Sequence, residues 1–140
     1  MFETHIENHE KKLRKALTMG GAKKLAERAA EGVLNARERI ERLVDPGTFL
    51  EAGLFAASIR PEMRDRSAAD GKITGYGKIG GREVAIVSND FTVMGASSST
   101  VNTSKVGHVK RVATQRGLPM VFLGESTGAR MPDVMGAAGV

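Results

Sequence analysis

The sequence predicts an α/β fold from three observations along its 140 residues. Apolar residues recur at helical spacing among many charges over the first 44 residues. From Lys72 to Val87, two β-rich runs flank Gly80-Gly81. A helical run ending at Arg116 then leads into the short apolar run Met120 to Leu123. Helices, a hairpin, a further helix and a buried strand, in that order, make an α/β unit.

The elements follow in order. Residues 4–18 carry Ile6, Leu13, Ala16 and Leu17, and Gly20-Gly21 stands where a helix stops. A second helix is predicted over Ala22 to Ala30, ending at Gly32. A third, Asn35 to Val44, places Ile40, Leu43 and Val44 on one side. Asp45-Pro46-Gly47 forms a turn, Thr48 to Phe55 a short strand, and Ser58 to Asp70 a polar loop expected to be mobile.

Lys72 to Ile79 and Arg82 to Val87 are predicted to pair as antiparallel strands across the two-glycine turn. Ser97-Ser98-Ser99-Thr100 caps a helix over Val101 to Arg116 that buries Val101, Val106, Val109 and Ala113, and Gly117 closes it. Pro119 opens the strand Met120 to Leu123, and Gly124 to Arg130 turns into a helix near Pro132.

Composition narrows the function. With no cysteine, a disulfide framework, a thiolate metal site and a cysteine nucleophile are excluded, and a reducing, cytoplasmic setting is expected. The apolar runs are too short for a membrane helix, so no membrane partner is expected. The net charge of +5 suits an anionic partner, but with aromatic residues at only 4% the stacking platforms of nucleic-acid binders are scarce, and no nucleic-acid partner is expected.

Glycine is the more useful count: most of the 17 glycines follow Gly71 and mark turns or places where a ligand approaches the main chain. Two small-residue loops stand out, each before a helix. Ser126-Thr127-Gly128-Ala129 can offer backbone amides to an oxyanion, and Gly95-Ala96-Ser97-Ser98 can offer them to a phosphate or a thioester arm, with Lys105 and Lys110 nearby. From spacing alone, both are equally ordinary turns and caps.

Other chemistry is thin. His5 and His9 stand four apart but lack a third ligand, so no metal is expected, and His108 has no nucleophile beside it. The serines make no G-x-S-x-G elbow. Glu125 and Asp133 are possible bases, although ion pairs of Glu125 and Arg130 at the rim of the core are as good a reading.

Several ordered motifs add to this. Ala36-Arg37-Glu38-Arg39-Ile40, Leu43 to Phe49, Asp70-Gly71, Thr74-Gly75, Ser88 to Ser97 and Glu125 to Arg130 together resemble the carboxyltransferase subunits of biotin-dependent acyl-CoA carboxylases, over about residues 34–140. The resemblance implies a crotonase-type spiral of ββα units, with residues 1–47 as a helical leader and 48–140 as an incomplete N-terminal crotonase-like domain.

It also implies roles. Gly128 and Ala129 would hold the thioester oxygen of an acyl-CoA, while Gly95, Ala96, Ser97, Thr127 and Arg130 would contact the acyl-CoA. Carboxyl would come from biotin carried by a partner, a biotin carboxylase or carboxyl carrier subunit. The family commonly has Asp and Gly where Glu125 and Thr127 stand, and Gly-Gly-Ser where Gly95-Ala96-Ser97 stands; with the β-branched Thr127 beside the oxygen site, an altered acyl pocket or an altered turn geometry is expected. Because 140 residues do not complete such a core, the chain is expected to be inactive alone and to form homo-oligomers. A biotin-dependent decarboxylase subunit and a non-catalytic assembly subunit remain alternatives.

Overall fold

A computed structural model describes residues 1–135. Three helices come first: α1 (Phe2–Leu17), α2 (Ala22–Ala30) and α3 (Ala36–Leu43). Asn35 caps α3: its side chain accepts from the Arg37 and Glu38 amides, both at 3.0 Å, while Glu38 accepts from the Asn35 amide at 2.8 Å.

The sheet follows, in the spatial order β1 (Leu50–Ala52), β2 (Lys72–Ile79), β3 (Arg82–Asn89) and β4 (Met120–Leu123). The first three strands are antiparallel, and β4 lies parallel to β3, with Ile86 opposite Val121. The parallel pair is joined by α4 (Thr100–Arg116), as a parallel connection requires. At the β2–β3 turn the Asp45 carboxylate accepts the Gly80 and Gly81 amides at 2.9 and 2.8 Å. Those two bonds hold its pKa below the usual carboxylate value.

Strand alternation sorts the sheet into two faces. On one, Ile73, Val84 and Ile86 pack with Ile40 of α3, with Val44 just past its end and with Met19. On the other, Ala85 packs with Val109 and Ala113 of α4, flanked by Tyr76, Leu118 and Met120. Gly77 is required by the first layer, because a Cβ there would sit 2.9 Å from Val44 Cγ1. Each fully buried aliphatic side chain in these layers contributes about 1.5–3 kcal/mol. The helices expected as a leader over 1–47 therefore share their core with the sheet: α3 closes one of its faces.

Three details differ from the sequence reading. The first strand spans only Leu50–Ala52, because the chain turns at Gly53, where φ is +80°. The polar loop from Ser58 to Asp70 is tied to the interior: it forms two 3₁₀ turns, Pro61–Arg66 and Ala68–Gly71, and buries Ser58, Ser67 and Asp70. On α4 the inward residue of the first turn is Asn102 rather than Val101, because Asn102 completes the Ser99 cap, while Val101 and Val106 stay half-buried. The helix expected near Pro132 spans α5 (Met131–Val134).

Candidate active site

The two small-residue loops meet beyond the C-terminal ends of β3 and β4. In the first, Met94, Gly95 and Ala96 have φ of 50°, 60° and 50°, a left-handed turn that costs an L-residue about 1–2 kcal/mol at each non-glycine position. Gly95 meets a close approach as well, since a Cβ there would lie 2.5 Å from Thr127 Cγ2.

Backbone bonds zip the loops into a ribbon. The Thr127 amide donates to Gly95 O at 2.9 Å, Ser98 to Gly128 O at 2.7 Å and Arg130 to Ser98 O at 2.7 Å. Ser98 and Ala129 thereby form a parallel bridge. Ser126 Oγ donates to Ala96 O at 3.1 Å and accepts the Gly128 amide at 3.1 Å. In a parallel bridge the N–H of Ala129 points away from its partner strand. It has no hydrogen-bond partner among the described residues, and Ala129 is exposed. Gly128 beside it has φ of 114°, which L side chains rarely adopt.

An ionic cluster lies beneath the ribbon. The Arg130 guanidinium, 3% exposed, bonds Asp70 and Asp133, the latter at 3.1 Å, and reaches Ser97 Oγ at 3.2 Å. Asp70 also accepts from Ser99 Oγ and from the Asn102 amide at 3.1 Å, and Asn102 Nδ2 returns a bond to Asp70 O at 2.9 Å. Ser58 Oγ donates to Asp133 at 3.1 Å, and Arg60 stands 3.6 Å from the same carboxylate. Two carboxylates thus face two guanidinium groups, and the cluster grips both loops.

Lys105 of α4 supports the same place from behind. Its ammonium donates to Ala69 O at 2.6 Å and Lys72 O at 2.5 Å, and burial lowers its pKa to about 8. At the ribbon's rim Glu125 pairs with Arg28 at 2.6 Å and Arg39 at 3.0 Å. Burial alone would raise the Glu125 pKa, but the hydrogen bonds from these two arginines outweigh it and hold the carboxyl below its usual value.

The structure brings the residues expected to contact the acyl-CoA to one ribbon, in different states. Gly128, Ala129 and Thr127 are exposed along it, and Gly95 is half-buried. Ala96, Ser97 and Arg130 are buried, so the Arg130 side chain faces the interior. His5, His9 and His108 lie elsewhere: His9 packs edge-on against Phe55 at 5.6 Å. Among the described residues no group of three His, Asp or Glu side chains could hold a metal ion. Sequence reasoning missed the roles of Asp70, Asn102 and Ser58, for which Asp70-Gly71 among the ordered motifs was the single signal, and it placed Lys105 beside an anion where the structure spends its ammonium on Ala69 O and Lys72 O.

A twisted sheet covered by helices on both faces, with a backbone ribbon at its open end, is the start of a crotonase-like fold. The chain belongs to the carboxyl transferase domain family, which matches residues 27–139. It is 39% identical over 117 residues to the propionyl-CoA carboxylase beta chain of Cereibacter sphaeroides, covering 81% of this chain and 23% of that protein. It is 35% identical over 136 residues to the methylmalonyl-CoA decarboxylase subunit alpha of Veillonella parvula, covering 94% of this chain and 26% of that one. Among solved structures it matches the transcarboxylase 12S hexamer with methylmalonyl-coenzyme A bound, at a TM-score of 0.86 and 33% identity, over 95% of this chain and 27% of that chain. The chain thus spans about a quarter of the length of these relatives. No helix among the described residues is long and apolar enough to cross a membrane.

Proposed function

We propose that this chain supplies the acyl-CoA side of a carboxyltransferase site, which moves a carboxyl group between carboxybiotin and the α-carbon of an acyl-CoA. The observation that carries this reading is the Ala129 N–H, without a partner among the described residues and flanked by the engaged amides of Gly128 and Arg130. Loss of the α-proton places negative charge on the thioester oxygen as an enolate. A fixed amide donor in a water-poor site stabilises such charge by several kcal/mol.

Gly128 serves as the second donor when Ser126 Oγ rotates off its amide, since that single bond is what occupies it. Gly95, Ala96, Ser97 and Thr127 shape the acyl-CoA channel, and Arg130 acts through the loops it grips. Carboxybiotin supplies the carboxyl group when a partner subunit or domain brings it. The ribbon's donors suit one oxygen, so no residue of this chain is assigned to biotin. The reading includes a homo-oligomer in the cytoplasm, working with a biotin carboxylase or carrier partner. Residues 48–140 open the first crotonase-like domain, with the helices of 1–47 packed on it.

The Veillonella relative favours a second reading, in which the same enolate forms by loss of a carboxyl group. Product analysis from a carboxyacyl-CoA separates the two. For either, calorimetric titration with propionyl-CoA is expected to show binding that Gly128→Val abolishes; binding unaltered by that substitution would refute the ribbon's role.

A further inference from the structure

One buried titratable group has no part in the site described above: the Lys72 ammonium, in a cleft of about 420 Å³ on the α4 face of the sheet. We propose that Lys72 Nζ is a modification site, which dissolved carbon dioxide converts to a carbamate. The inference stands apart from the acyl-CoA reading, because it concerns the lysine itself and needs no CoA ester.

Lys72 opens β2 opposite Asn89 and is 8% exposed. Among the described residues its ammonium makes a single bond, to Asn89 Oδ1 at 3.4 Å. A buried ammonium with two unused donors is costly, and shedding a proton relieves that cost. Burial, and then the charge of Arg130, push the Lys72 pKa down and outweigh Asp70, which raises it. A desolvated lysine that gives up its proton becomes a nucleophile. The Arg130 charge that opposes an ammonium also favours an anion in the same place.

The cleft supplies what a carbamate needs. Val87, Val106 and Phe122 form apolar walls that suit uncharged carbon dioxide. The hydroxyls of Ser98 and Thr103 also line it, without hydrogen-bond partners among the described residues, and can donate to the new oxygens. Lys110, its ammonium 5.6 Å from the centroid of the Phe122 ring, provides the counter-charge, and no carboxylate lines the cleft to repel the product. Lys105 is the contrasting case: its ammonium is spent on Ala69 O and Lys72 O, at 2.6 and 2.5 Å, and modification there would forfeit both bonds. In the step itself the Lys72 ammonium first releases a proton to water. The Nζ lone pair then forms an N–C bond to carbon dioxide as one C=O electron pair moves onto oxygen, and a second proton leaves Nζ for solvent. One ammonium and one carbon dioxide thus become one carbamate anion and two protons.

The test is NMR on the full chain, isotope-labelled at its lysine nitrogens and equilibrated with carbon-labelled bicarbonate, which supplies the carbon dioxide. One carbamate carbon is expected, split by a lysine nitrogen and correlated with the Lys72 side chain. The amino terminus forms carbamates too, but its nitrogen carries no label and gives no splitting. Lys72→Arg should abolish the split signal. Because the correlation is read in the unsubstituted protein, a folding defect in that variant does not obscure the result. Lys110→Met, on an exposed helix position, should lower the carbamate's apparent affinity for carbon dioxide about tenfold, as loss of a charge-assisted contact does. Absence of a split carbamate carbon, its correlation with another lysine, or its persistence in Lys72→Arg overturns the proposal. Unchanged affinity in Lys110→Met overturns the cleft as its setting.

Discussion

The layer between α3 and the sheet is closed by aliphatic side chains, whereas the layer beneath the ribbon is closed by ions. Ile40, Ile73, Val84 and Ile86 fill the first, and Asp70, Asp133 and Arg130 the second. Aliphatic packing is non-directional and tolerates volume-conserving exchange. A buried ion cluster fixes geometry through hydrogen bonds but fails when one member is lost, because its partners are left charged in a poor solvent. The fold thus places adaptable packing where shape alone matters and directional bonds where two loops must hold a fixed spacing.

The contrast sets an order of expected effects. Arg130→Met leaves Asp70 without its guanidinium partner and should destabilise by about 3–5 kcal/mol in urea unfolding, with Asp70→Asn partly restoring the double variant. Full stability in the single variant would erase the distinction between the layers. Ile86→Ala in the aliphatic layer should cost about 3 kcal/mol, and Ile86→Val only about 1.

Lys105 gives a pH signature. Its folded pKa of about 8 lies below the 10.5 of the unfolded chain, so between those values the unfolded state binds more protons and stability rises with pH. Across that window the gain is on the order of 2 kcal/mol. Unfolding curves from pH 8 to 10.5 should show it as a difference from Lys105→Met, and parallel curves would argue against a buried ammonium. Gly95→Ala combines a left-handed φ with crowding by Thr127, an expected loss of about 1–2 kcal/mol. Thr127→Gly should recover the crowding part alone, as a double-mutant cycle would reveal. The smallest effect is Asn35→Ala at the α3 cap, about 1 kcal/mol in thermal unfolding.

The aliphatic half was legible in the sequence and the ionic half was not, for a physical reason. Strand alternation and helical spacing are local patterns, so Ile73, Gly77, Ile79 and the Gly80-Gly81 turn announced β2 and β3, and Ser99 and Gly117 bounded α4. The ion cluster joins residues 60 positions apart, Asp70 and Arg130, and nothing local marks such a pair. The same holds for Ser58, whose bond to Asp133 turned an apparently loose polar segment into a buried one. The candidate loops were visible as small-residue runs before helices, and the ordered motifs joined them to one family. Which amides are engaged is a matter of register between the loops, and that appears only in three dimensions.

That register makes the ribbon a reporter of its own occupancy through hydrogen exchange with solvent. The amides of Thr127, Gly128 and Arg130 are each hydrogen-bonded, while the amide of Ala129 between them has no partner among the described residues. In heavy water Ala129 should therefore take up deuterium ahead of its immediate neighbours, and a molecule that docks an oxygen on it should slow that one site most. Residue-resolved exchange would then detect occupancy without any turnover being measured.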